Sequence, residues 1–129
     1  MTQVTNWKEK LSDATLDPKV GIKIAKLTQD QEFSMHVTEI APGGKVGSHF
    51  HQDGVEVYQI LSGQGHMYLA EADRQSEIQK LDVSGGDFFT IKPNVVHQLE
   101  NSGSDPLVLI FGCPQSHLSA DRVICQDLC

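Results

Sequence analysis

The amino-acid sequence predicts an all-β domain, either a sandwich or a barrel. Three observations carry this. Short apolar or alternating runs recur from about residue 20 onward. Glycine, proline, asparagine, aspartate or serine bounds each run. No stretch sustains a helical period, and short strands divided by turn residues at this spacing form closed or two-layered β structures. With 129 residues, 39% of them hydrophobic, the chain suits one domain. A chain of this size buries a core of its own.

Taken in order, residues 1–19 are polar apart from Trp7 and Leu11, and predict an arm or short helix ending near Pro18. Strands are expected over 20–27, 33–40, 55–61, 66–70, 78–83, 88–91, 95–100 and 107–111. Turn residues stand between them at Pro42-Gly43-Gly44, Ser62-Gly63-Gln64-Gly65, Ser84-Gly85-Gly86, Pro93-Asn94 and across 101–106. The barrel is therefore placed at 20–112, with 113–129 as an extension packed on it. Phe33, Phe89, Leu107, Leu109 and Phe111 are expected in the core.

A formal net charge of −7 argues against non-specific nucleic-acid binding and against an anionic membrane surface. The longest uninterrupted apolar run, 107–111, is too short to span a bilayer. The opening residues are polar and lack the apolar segment of a secretory signal. Cys113, Cys125 and Cys129 are odd in number and follow no CxxC spacing. Reduced thiols in a cytoplasmic protein are the expectation.

One constellation carries chemistry. His49 and His51 stand at i, i+2, a spacing that points both rings to one face of a strand. Glu56 follows the turn-like Gln52-Asp53-Gly54, and His97 lies in a separate predicted strand. If the two strands pair, three imidazoles and one carboxylate converge, a donor set that suits a divalent first-row metal. Four protein ligands on an octahedral ion leave two positions open, as a reactive site requires. His36 and His66 lack this spacing and are assigned structural or exposed roles.

These residues resemble the cupin family. Gly43, His49, His51, Glu56 and Gly63 fit its first motif, G-x5-H-x-H-x4-E-x6-G, at every fixed position. Gly86, His97 and Asn101 fit the second, G-x5-P-x-G-x2-H-x3-N. Lys92 stands at the proline place, with Pro93 one residue late, and Asn94 at the second glycine place. Asparagine tolerates the left-handed backbone that such a turn uses. The resemblance implies a double-stranded β-helix, a small jelly-roll barrel, with His49, His51, Glu56 and His97 holding one divalent transition metal (zinc, iron, manganese or nickel) in its mouth. It also implies a homodimer paired through strand edges, which the N-terminal arm could reinforce.

Tyr58 and Ile60 share a strand face with Glu56, and Leu99 and Asn101 share one with His97. Tyr58 is the candidate catalytic residue, because its phenol both donates and accepts hydrogen bonds. Asn101 is expected to brace a strand end. Residues 97–101, 106–110 and 118–124 resemble the mannose-6-phosphate isomerase-like cupins, which implies a sugar phosphate and a carbonyl–enediol proton shift. A small oxygen-rich ligand (sugar, sugar phosphate or organic acid) is therefore expected, with isomerase-type chemistry leading. Iron-dependent dioxygenase, manganese-dependent decarboxylase and non-catalytic metal- or sugar-binding readings stay open.

Overall fold

The computed structural model describes residues 2–18, 21–28 and 30–129. Lys19 and Val20, where the expected boundary between arm and barrel falls, lie outside the described residues. A short helix, α1 (Trp7–Asp13), comes first. The side chain of Asn6 accepts from the backbone N–H groups of Lys8 and Glu9 at 3.0 and 3.2 Å. That satisfies donors which a helix start otherwise leaves orphaned. Trp7 and Leu11, one helical turn apart, dock α1 against Val37 and Val108 of its own chain.

The strands are β1 (Ile22–Lys26), β2 (Ser34–Ile40), β3 (His49–Phe50), β4 (Glu56–Ser62), β5 (Gln64–Glu71), β6 (Gln79–Ser84), β7 (Phe88–Ile91), β8 (Val95–Asn101), β9 (Leu107–Cys113) and β10 (Val123–Ile124). They form two five-stranded sheets, ordered β1-β2-β9-β4-β7 and β10-β3-β8-β5-β6. Every pairing is antiparallel. This is the all-β, double-stranded β-helix architecture that the sequence predicts.

The core lies between the sheets. Ile40, Tyr58, Ile60 and Leu109 from one sheet meet Met67, Val83 and Leu99 from the other. The alternation expected of a strand with one wet face holds in β4, where Glu56, Tyr58 and Ile60 are buried and Gln59 is exposed. It fails in β2, where Val37 and Thr38 are both buried. Val37 faces outward and α1 covers it. Leu128 does the same for the second sheet, sealing Ala70 and Val96.

Two expectations need correction. Phe33 is not core: it precedes β2, is 38% exposed, and lays its ring against the backbone of Gly112. β10 was not expected, since two exposed residues carry no alternation signal; it adds to β3 through Val123↔Phe50 and Ile124↔His49.

The turn residues behave as their chemistry demands. Asn94 has φ 62°, the left-handed conformation expected at the motif's glycine place. Asn101 is buried and braces three elements. Its amide donates to the carbonyls of Ile40 and Asp105, both at 2.8 Å, and its oxygen accepts from the Gly103 N–H at 2.9 Å.

Candidate metal centre

The chain brings His49, His51, Glu56 and His97 together between the two sheets. His49 on β3 stands directly across from His97 on β8. The approach to β3 is held along β8 as well, by Val46 N–H on the Leu99 carbonyl at 3.0 Å. His51 follows β3, and its own carbonyl accepts from the Asn94 N–H at 2.8 Å. Glu56 opens β4 in the opposite sheet and turns inward. One donor atom from each of the four residues lies within 4.8 Å of the others.

Each of the three rings is fixed by a backbone carbonyl. The Nδ1 of His49 donates to Gly47 at 2.7 Å, that of His97 to Val95 at 3.0 Å, and that of His51 to Asp121 at 2.5 Å. A carbonyl only accepts, so Nδ1 carries hydrogen in all three and the Nε2 lone pairs of the neutral rings face inward. The Nε2 atoms of His51 and His97 are buried and make no hydrogen bond of proper geometry. They stand 2.9 and 3.4 Å from the two oxygens of Glu56. Lone pairs facing lone pairs at such distances call for a cation between them, either a proton or a metal ion. Three nitrogens and one anionic oxygen fit a divalent first-row ion.

The electrostatics agree. Burial pushes the Glu56 carboxyl up, but the close polar contacts and charge of His51 and His97 outweigh it and hold the group well below the usual carboxylate range. Burial likewise pulls His51 down, yet its close contact with Glu56 and its bond to the Asp121 carbonyl prevail and raise it. Burial, aided by His97, lowers His49 to about 4. The Tyr58 phenol is raised well above its ordinary value by burial and by Glu56, to whose Oε1 it donates at 2.9 Å.

Sequence reasoning missed two participants. The buried His117, in the 3-10 turn Gln115–Leu118, places Nδ1 3.0 Å from Glu56 Oε2. Its Nε2 faces the carbonyl of Asp53. Asp121 holds His51 through its carbonyl, while its carboxylate accepts from the backbone N–H groups of Gln52 and Asp53 at 2.7 and 2.9 Å. The available signal was local to the connecting loop. Gly54 has φ +80°, and a Cβ there would meet Pro114 at 2.7 Å, so the loop needs glycine to admit the C-terminal segment. Cys113 adds a buried thiol within 4.8 Å of the Glu56 and His117 donors, and burial pushes it up to about 12.

His36 and His66, expected in structural or exposed roles, and Lys92 lie away from the donors. His36 stacks on Phe111 and pairs with the Ser34 hydroxyl at 3.0 Å. His66 sits beside Asp82 and Glu100. Lys92 is exposed and lines a different depression with Thr90 and Val95. Beside the donors lies a cavity of about 150 Å³. Tyr58, Thr38 and Arg122 are among its polar lining, and Ile22, Ile40, Val46, Leu99, Leu109 and Phe111 among its apolar walls.

Comparison with known proteins adds a family. Residues 36–113 match the family model described as "Cupin domain". A germin-like protein 5-1 of Oryza sativa subsp. japonica is 30% identical over 71 residues, covering 55% of this chain and 31% of that protein. An uncharacterised protein of Methanocaldococcus jannaschii is 35% identical over 68 residues, 53% of this chain and 49% of that one. The chain thus spans half or less of the length of these curated relatives. A crystal structure of an uncharacterised conserved protein with a double-stranded β-helix domain from Klebsiella pneumoniae superposes with TM-score 0.76 at 18% identity, covering 98% of this chain and 100% of that one.

Proposed function

The chain belongs to the cupin family, and from that premise we propose that it is a metal-dependent cupin whose ion is held by His49, His51, Glu56 and His97. The observation that supports this best is the trio of carbonyl-tethered imidazoles whose inward Nε2 atoms meet an anionic carboxylate. A divalent first-row ion in that cage supplies Lewis acidity to a carbonyl or hydroxyl oxygen of a small ligand in the adjoining cavity.

The chain's own residues then have defined work. His117 and Tyr58 each take one oxygen of Glu56 and fix its carboxylate. Burial keeps the Tyr58 phenol protonated, and in this reading it is the proton-holding group on the cavity wall, consistent with an isomerase-type proton shift. The cavity volume favours a second reading, oxidation or decarboxylation of a small organic acid, over chemistry on a bulky sugar phosphate. The same proposal places the protein in the cytoplasm as a homodimer joined through strand edges. No helix among the described residues is long and apolar enough to cross a membrane.

Elemental analysis of protein purified from its own cell tests the reading. About one first-row ion per chain is expected, lost in the His49→Ala/His51→Ala double variant. Stoichiometric metal retained by a folded double variant overturns it.

A further inference from the structure

The metal reading leaves the ligand open, and the cavity narrows it. We propose that the site takes short-chain aliphatic 2-oxo or 2-hydroxy monocarboxylates, with Arg122 pairing with the carboxylate and the apolar walls enclosing the carbon chain. This inference rests on the metal reading above.

Volume comes first. The cavity, about 150 Å³ and open to solvent, encloses about six heavy atoms of a ligand. A hexose phosphate is far larger. Chemistry comes second. Ile22, Ile40, Val46, Leu99, Leu109 and Phe111 offer no partner for a polyol's hydroxyls, and each hydroxyl left there unpaired would be penalised. Beyond the donor cluster with Tyr58 and Arg122, the wall offers one polar group among the described residues, the buried Thr38 hydroxyl, enough for a single oxygen and not for a polyol. The oxygen pair of an oxo or hydroxy acid meets the donor cluster, and its chain meets the aliphatic wall.

Arg122 is exposed and lines the cavity. It is the single Lys or Arg on the cavity wall among the described residues. Its backbone is anchored on both sides. Asp121 before it binds His51, Gln52 and Asp53, and Val123 after it pairs with Phe50 in β10. Asp121's carboxylate is committed to those two backbone amides, and Arg122 forms no ion pair with a carboxylate among the described residues. A guanidinium in that position matches one carboxylate. Among the described residues no second Lys or Arg stands on the wall to add to it.

Isothermal calorimetry on metal-loaded protein tests the proposal, with glyoxylate, pyruvate, 2-oxobutanoate, glucose 6-phosphate and the neutral hydroxyketone acetoin as probes. Each added methylene in the acid series is expected to tighten binding about fourfold. Arg122→Gln is expected to weaken the acids at least tenfold. The same variant keeps its metal content and its affinity for acetoin. Glucose 6-phosphate binding as tightly as the oxo acids, a flat methylene series, or unchanged acid affinity in Arg122→Gln overturns the inference. Metal uptake without binding of any acid overturns it alone, whereas failure to take up metal overturns the metal reading and this inference together.

Discussion

The ring of His117 lies flat on the ring of His51, with centroids 3.9 Å apart and planes 3° from parallel. Both rings address the same oxygen: Glu56 Oε2 stands 2.9 Å from His51 Nε2 and 3.0 Å from His117 Nδ1. His117 therefore supports two members of the donor set at once, one by packing and one by polar contact.

His117→Ala is expected to lower metal affinity by about 10- to 100-fold, the usual cost of removing a group that orients a ligand. The sheets do not depend on it, so far-ultraviolet circular dichroism stays unchanged. Competition with a metal chelator reads the affinity, and an unaltered value shows that His117 only fills space.

Tyr58→Phe keeps the aromatic packing on Phe89 and Phe111 and removes only the hydrogen bond to Glu56. A loss of about 1 kcal/mol in stability is expected. A several-fold weaker metal affinity follows from the looser carboxylate. Urea unfolding together with the chelator titration measures both.

Metal loading is expected to release a proton and to weaken in acid. In the metal-free site Glu56 and the Asp121 carbonyl raise His51, so its protonated form competes with a metal up to a higher pH than that of a free imidazole. Affinity falls as pH drops through this raised value. His49 acts oppositely on folding. Its value is about 4 when folded against an ordinary 6.5, so between those limits the unfolded chain binds more protons. Its contribution is complete above pH 6.5 and is lost as pH falls toward 4, worth up to about 3 kcal/mol. Urea midpoints of the metal-free protein across that window, compared with those of His49→Gln, measure it; a slope that survives the substitution assigns the effect elsewhere.

Gly54→Ala places a methyl group 2.7 Å from Pro114 in a backbone with φ +80°. A destabilisation of about 1–3 kcal/mol is expected. Because the displaced segment carries His117, metal affinity falls too. A thermal melt with and without metal separates the two losses.

The donor quartet was legible because fixed short spacings encode it. His49 and His51 share a strand direction, and the turn residues around Asn94 set the strand that carries His97. Asn94 and Asn101 were legible through their own backbone chemistry. The partners 61 and 70 residues away were not, since no periodicity links His117 to Glu56 or Asp121 to His51. The outward burial of Val37 was equally hidden, because it depends on where α1 docks. Phe33 failed for the converse reason: hydrophobic character placed it inside, but its position before the strand leaves it on the surface.

The carbonyl that sets the tautomer of His51 belongs to a residue translated long after that histidine. On a ribosome the four donors are synthesised first, and the piece that aims one of them arrives late. A chain cut short before residue 121 would therefore keep all four donors and lose the group that aims one of them.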